Sequence, residues 1–323
     1  IILFLALWSC EGPNEKVIEK PVNYFSKVFG EYDAEMGYSI QETTDGGFIL
    51  SGATSSYWAT DSLSRINDIQ HGITNAIIAK VDTVGEPEWI KVFGGDMFES
   101  AFNAGETDDG GYFFAGYTNS IGNGLYDFWL VKLDAFGNME WEKTYGTAKA
   151  DVGLFGEITS DGGYILTGYT ILPNKTDKDF WLLKTNADGD SLWSSTFGND
   201  ANQSANRVIE LSNGGFVIIG ETRGDSTNND ILIIKTDENG QEIWTKNIVE
   251  SNDDLVFSIK ETPDGFIAVG TTTSLGAGNK DIWLHKLDAS GNVEWQNTFG
   301  GDALEYGFDV VPVSDGINSM AQQ

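Results

Sequence analysis

Apolar residues along this chain come in short runs separated by turn signals, and from Val22 onward the runs fall into repeating sets of four. The second set shows the plan: AFNAGET, GGYFFAGYT, DFWLVKLD and NMEWEKTYG within residues 101–146, which we label a, b, c and d. Between a and b stands Asp/Asn-Gly-Gly, at Asp45-Gly46-Gly47, Asp109-Gly110-Gly111, Asp161-Gly162-Gly163 and Asn213-Gly214-Gly215, with Asp264-Gly265 one glycine shorter. Such steps favour positive φ and close hairpins. Between c and d stands Asp-x-x-Gly with a tryptophan four residues on: Asp82, Gly85, Trp89; Asp134, Gly137, Trp141; Asn186, Gly189, Trp193; Asp237, Gly240, Trp244; Asp288, Gly291, Trp295. The tryptophans are 52, 52, 51 and 51 residues apart, a period that marks a repeat architecture.

Runs b and c are apolar at consecutive positions, as in FVIIG at 216–220 and ILIIK at 231–235, so the sheet must be covered on both faces. Repeated four-stranded antiparallel sheets, each sandwiched between neighbours, describe an all-β fold, a β-propeller. Five full blades are expected plus an incomplete sixth, over residues 23–323. A lone d-type strand at Asn23–Gly30 precedes the first blade and is expected to close the ring. An a-type strand at Tyr306–Asp315 follows the last, and the final GINSMAQQ does not match a b strand. The sixth blade is therefore expected to hold a and d only, leaving the ring open or the sequence short of one hairpin.

The 39 glycines and six prolines suit many tight turns. A net charge of −30 repels nucleic acid and anionic bilayers, so neither is an expected partner. The single cysteine, Cys10, ends the apolar run IILFLALWSC, which is too short to span a bilayer. With Leu7 and Ser9 before it, this end resembles the lipobox of bacterial lipoproteins. The resemblance implies a signal peptide over 1–9, a lipid on Cys10, a tether over 10–22 and a place on the cell envelope: outer membrane, periplasmic or surface-exposed.

The units resemble the tandem propeller repeats of bacterial and archaeal secreted and cell-surface proteins, with Thr-Phe-Gly-Gly, Asp-Gly-Gly-Tyr, Gly-x-Thr, Asp-x-Trp-Leu-x-Lys-x-Asp and Gly-x-x-x-Trp as shared elements. The c–d turn is also similar to the tryptophan-docking motif of quinone-dependent dehydrogenases. It is one residue shorter there, and the adjacent cysteine pair of that family is missing, so no cofactor is expected.

The tryptophans are expected to seal blade seams, each burying on the order of 150–250 Å². Gly-x-Thr, ending each b strand, reads as a bend with a threonine bound to backbone. Asn75, Asp127, Asp179, Asp230 and Asp281 open the c strands and read as turn acceptors. Lys80, Lys132, Lys184, Lys235 and Lys286 stand two residues before the c–d turn between apolar neighbours and need partners. Glu42, Glu106, Glu210 and Glu261, with Glu157 one position displaced, lie at the same end of each blade, so a ring of Lys–carboxylate pairs is expected there.

The b–c and d–a loops vary, and variable loops on a rigid scaffold are where binding resides. The longest, residues 55–74, offers Tyr57, Trp58, Arg65 and His71 as the candidate ligand loop. No loop packs carboxylates at the spacing of a calcium loop, and no metal site is expected. No nucleophile elbow or phosphate loop appears. The expected function is a lipid-anchored, non-catalytic binding or scaffold module whose variable loops meet an unknown protein or glycan; the alternative is a propeller enzyme, glycan-processing or quinone-dependent.

Overall fold

The computed structural model describes residues 26–29, 34–55, 74–223, 228–313 and 316–322, and their regular structure is entirely β. The first sheet is β1 (Glu35–Glu42), β2 (Phe48–Thr54), β3 (Asn75–Val81) and β4 (Pro87–Phe93). The second is β5 (Glu99–Glu106), β6 (Tyr112–Thr118), β7 (Asp127–Leu133) and β8 (Met139–Tyr145). The third is β9 (Asp151–Ile158), β10 (Tyr164–Thr170), β11 (Asp179–Thr185) and β12 (Ser191–Phe197). The fourth is β13 (Asn202–Glu210), β14 (Phe216–Arg223), β15 (Asp230–Thr236) and β16 (Glu242–Ile248). The fifth is β17 (Asp254–Thr262), β18 (Gly265–Thr272), β19 (Asp281–Asp288) and β20 (Val293–Phe299), and a last pair is β21 (Tyr306–Val313) with β22 (Gly316–Gln322). Every sheet is an antiparallel meander in chain order.

Consecutive sheets stack face to face, β2 on β5, β6 on β9, β10 on β13, β14 on β17 and β18 on β21, while the first strands β1, β5, β9, β13, β17 and β21 run side by side around a common axis. The chain is a β-propeller of five full blades and a partial sixth, and among the described residues no comparable packing joins β21 back to β1. The core is correspondingly divided into five apolar clusters, one per seam. Ile49 and Ile78 of blade 1 meet Phe114 and Trp129 of blade 2, and the last cluster joins Ile267 and Leu284 to Val310. Each such side chain contributes roughly 1.5–3 kcal/mol by leaving water. At the open end, Ile40 is 46% exposed, whereas its counterparts Ala104, Val208, Ile259 and Val310 are fully buried.

Both turns take the geometry their residues dictate. In blade 1 the a–b turn is held by Asp45 Oδ1, which accepts from the Gly47 N–H (2.9 Å) and the Thr43 hydroxyl (2.6 Å), with Gly46 at φ +80°. In the c–d turn Asp82 Oδ1 accepts from Val84 and Glu86 N–H groups, and Gly85 has φ +79°. Tryptophan and turn glycine then meet across seams: a Cβ on Gly137, Gly189, Gly240 or Gly291 would fall 2.4–2.8 Å from the ring of Trp89, Trp141, Trp193 or Trp244 of the preceding blade. Trp295 has no following c–d turn and is 38% exposed.

Two expectations about the chain ends are corrected. Residues 316–322 do pair, as β22 in the b position of blade 6, so that blade holds a and b rather than a and d. Of the expected closing strand, only residues 26–29 are described. They are irregular, with Val28 86% exposed. Cys10, the 1–9 signal peptide, the 10–22 tether and the loop residues Tyr57, Trp58, Arg65 and His71 lie outside the described residues.

Candidate functional site

Each a strand carries a β-bulge at its third to fifth residue, placing Tyr38, Phe102, Leu154, Asn206, Phe257 and Phe308 out of register with the neighbouring b strand. A bulge bends the strand and re-aims the extra side chain. The glycine of each Gly-x-Thr makes this possible. A Cβ at Gly52, Gly116, Gly168, Gly220 or Gly270 would lie 1.8–2.0 Å from the carbonyl oxygen of the opposed a strand, so the backbones meet only without one. The threonine of the motif binds backbone, and a side chain as well: the Thr118 hydroxyl accepts from the Ser120 N–H (3.1 Å) and donates to Glu99 (3.1 Å), and the Thr272 hydroxyl accepts from the Ser274 N–H (3.0 Å).

Four of the six re-aimed side chains are aromatic and meet in two pairs, a partial collar interrupted by Leu154 and Asn206. Tyr38 and Phe102 have ring centroids 4.6 Å apart, Phe257 and Phe308 5.2 Å. Tyr117 extends the collar from Phe102 (5.8 Å) and meets Tyr126 edge-on (5.2 Å), while Tyr306 stacks on Phe308. Tyr38 and Phe308 remain 40% and 46% exposed, so the collar presents open ring faces.

One residue further along the a strands lies a polar layer. The Ser39 hydroxyl donates to Asn103 Oδ1 (2.9 Å), and Asn103 Nδ2 donates to the Gly156 carbonyl (2.6 Å). Arg207 lies over the Phe155 ring (4.6 Å) and reaches Asp309 Oδ1 (3.4 Å), which also accepts from the Ser258 hydroxyl. The Arg207 Nε–H is buried without a partner. Beneath it stand Glu157 and Lys260. Burial pushes the Glu157 carboxyl up, against the Glu210 N–H (3.2 Å) and the charges of Arg207 and Lys260. Burial likewise pulls the Lys260 ammonium down, as does the Arg207 charge, with Asp309 and Glu157 opposing. Two carboxylates and two cations thus share this space, and burial favours the neutral forms of Glu157 and Lys260 within it.

Four of the lysines pair with carboxylates, but the partners are a–b turn aspartates and d-strand glutamates rather than the a-strand glutamates. Lys80 pairs with Asp45 (2.8 Å) and Glu88 (3.4 Å), Lys132 with Asp109 (2.9 Å) and Glu140 (3.0 Å), Lys184 with Asp161 (2.9 Å), and Lys286 with Asp264 (2.9 Å) and Glu294 (3.2 Å). The a–b turn aspartate is the nearer partner because it caps the hairpin alongside the lysine's own strand. Desolvation opposes the Lys80 charge, yet the hydrogen bond to Asp45 and the charges of Asp45 and Glu88 carry its pKa above the ordinary value. Among the described residues Lys235 has no ion pair, since Asn213 and Ile243 replace the acids its counterparts use. The glutamates cross to the preceding blade instead. Glu106 accepts from the Thr44 N–H and hydroxyl (2.6 and 2.8 Å), Glu210 likewise from Ser160 (2.6 and 2.9 Å), and Glu261 from Ser212 (2.9 and 3.1 Å). Glu42 has no such turn beside it and is exposed.

His285 sits in β19, 1% exposed, with both ring nitrogens unpartnered; burial lowers its pKa to about 3. Among the described residues no three or more His, Cys, Asp or Glu side chains converge as a metal-ligand group, and no helix is long and apolar enough to cross a membrane. The collar and polar layer escaped the sequence reading. The signal was present as a large residue near the start of each a run, aligned with the b-strand glycine.

No family model matches the chain, and no curated protein matches it. Among solved structures it is similar to a β-xylosidase/α-arabinofuranosidase of glycoside hydrolase family 43 from a compost microbial metagenome, at 10% identity, covering 81% of this chain and 94% of that one, with a TM-score of 0.43. It is also similar to a neuraminidase-like protein of subtype N11 (flat-faced bat, Peru), at 11% identity, 88% and 86% coverage and a TM-score of 0.45. A β-1,2-mannobiose phosphorylase from Listeria innocua aligns at 11% identity, 92% and 92% coverage and a TM-score of 0.39. The expectation of a non-catalytic module is corrected: a xylosidase/arabinofuranosidase and a mannobiose phosphorylase stand among the structures similar to this chain.

Proposed function

We propose that this chain is an envelope-anchored β-propeller that binds a saccharide at the axial collar. The observation that carries the reading is the set of re-aimed aromatics above a hydrogen-bonding layer, with Tyr38, Phe102, Phe257 and Phe308 offering ring faces and Ser39, Asn103 and Ser258 offering polar groups beneath. A sugar ring presents an apolar C–H face and a hydroxyl edge, the chemistry such a site matches, and mostly apolar concave sites with few polar groups are the general form of ligand pockets. The balanced charges of Arg207, Lys260, Glu157 and Asp309 suit a neutral ligand better than a strongly charged one. Cys10 supplies the anchor, in keeping with its LWSC setting. A glycan array followed by calorimetry tests the binding: Tyr38→Ala and Phe102→Ala should weaken the selected glycan at least tenfold, and an unchanged affinity would remove the collar from the site. Radiolabelled palmitate incorporation, abolished by Cys10→Ala, tests the anchor.

A second reading is glycan processing. Its observation is the Glu157 carboxyl, raised by burial and set among charged neighbours, as a proton donor must be. Glu157→Gln should then stop release of reducing sugar while binding persists.

A further inference from the structure

Every seam between blades holds a polar pair, made by the residue opening strand c of one blade and a residue within one position of the start of strand a of the next, and in three of the five both members are buried. The pairs are Asn75 with Glu99, Asp127 with Asp151, Asp179 with Gln203, Asp230 with Asp254, and Asp281 with Glu305. At the seam of blades 2 and 3, Asp127 is 1% exposed and Asp151 fully buried. A Cβ on Gly146 would stand 1.9 Å from Asp127 Oδ1 and 3.1 Å from Asp151 Oδ2, so the two oxygens lie within about 5 Å of each other around that glycine. Asp127 Oδ2 accepts from the Asn123 and Gly124 N–H groups (3.0 and 3.1 Å), and Asp151 accepts from the Thr147 N–H and hydroxyl and the Thr170 hydroxyl. Asp127 Oδ1 has no hydrogen-bond donor. Two buried carboxylates with one oxygen left bare are costly without a counter-charge.

The next seam shows how such a pair is neutralised. There Gln203 replaces the second acid, and Lys175 Nζ lies 3.2 Å from both oxygens of Asp179, 3.3 Å from Asp177 Oδ2 and 3.1 Å from the Asn199 carbonyl. In the equal-length loop one blade earlier, Asn123 stands where Lys175 does and Thr147 where Asn199 does. At the Asp127 seam, therefore, the tethered ammonium is gone and a second carboxylate has been added. We propose that a divalent cation of the calcium class sits at this seam, held by Asp127 Oδ1, Asp151 and the Thr147 carbonyl with water completing its shell. Calcium takes oxygen ligands of this mixed kind at 2.3–2.6 Å in flexible geometry. The seam of blades 5 and 6 repeats the frame, where a Cβ on Gly300 would stand 2.1 Å from Asp281 Oδ1 and 2.6 Å from Glu305 Oε2. The seam of blades 4 and 5 has Val249 in the glycine's place.

The test uses the full chain stripped with EDTA and returned to calcium chloride at neutral pH. Tm is expected to rise by several degrees at calcium well above Kd, because ligand binds only the folded form. Asp127→Asn and Asn123→Lys should both fold and both lose at least half of that rise, the second by restoring the ammonium found at Lys175. Terbium luminescence sensitised by the neighbouring tyrosines should fall in parallel. If stripped protein shows no calcium response and is instead stabilised on going from pH 8 to pH 5, a shared proton fills the role and the proposal fails. It fails equally if both variants retain the full calcium response.

Discussion

Replacing His285 with leucine isolates the one ring in the described core whose two nitrogens both lack partners. Its counterparts in the other blades are Ala79, Val131, Leu183 and Ile234, so the site accepts an aliphatic side chain without new architecture. At neutral pH the neutral imidazole costs the desolvation of its polar atoms, about 1–3 kcal/mol, and His285→Leu should recover that amount. Below neutrality the effect grows. The folded pKa is about 3 against 6.5 for a free histidine, so the unfolded chain takes up a proton that the folded one refuses. Stability is therefore complete above pH 6.5 and is lost as pH falls toward 3, at about 1.4 kcal/mol per unit. The advantage of the variant should be roughly 3 kcal/mol larger at pH 4 than at pH 7. Urea unfolding of both proteins across that range gives the difference directly, and the difference cancels the carboxylates, which titrate in both. An equal increment at pH 7 and pH 4 would show that His285 takes a proton or a partner in the folded chain.

The lysine ring supplies two further outcomes. Lys80 is almost wholly buried, so Asp45→Asn should cost on the order of 2–3 kcal/mol, with Glu88 retaining part of the pairing; Asn213→Asp, which gives Lys235 the acid its counterparts have, should add about 1 kcal/mol, both read from urea midpoints. At the seams, Trp89→Ala should cost about 3–5 kcal/mol while Trp295→Ala, at the exposed end of the series, costs under half as much, read by thermal melting. Gly137→Ala should lower Tm in the same assay, because φ is +74° and the new methyl meets the Trp89 ring.

The repeat, the hairpins and the four-strand blades were legible because each is written within one unit: Asp-x-x-Gly fixes a turn whatever surrounds it, and the doubly apolar b and c runs require cover on both faces. Partners across seams were not. Thr44 and Glu106 are 62 residues apart, Ser160 and Glu210 50, and spacing alone does not say that a glutamate leaves its own blade to hold the turn of the one before. The same limit hid the collar, since the bulge that turns Phe102 to the axis depends on Gly116 in the adjoining strand.

Glu157 shows how a single residue of register separates scaffold from site. Glu106, Glu210 and Glu261 lie at or next to the ends of their strands on the face that meets the preceding turn, where a threonine or serine waits. In blade 3 the glutamate comes one residue early, and because strand side chains alternate, that step turns it to the opposite face. Ile158 takes the clasp position, and the turn it faces carries Asp108 where the others have Thr44, Ser160 and Ser212. A glutamate there would meet a like charge, so the loss of the clasp and the change of the turn residue belong together. The displaced carboxyl joins Arg207, Lys260 and Asp309 at the axis, where burial raises its proton affinity. Moving it back, with Glu157→Ile and Ile158→Glu against Asp108→Ser, should restore a fourth clasp and raise Tm while abolishing any chemistry that depends on the axial acid. Reducing-sugar release that survives this exchange would place the reacting acid elsewhere on the propeller.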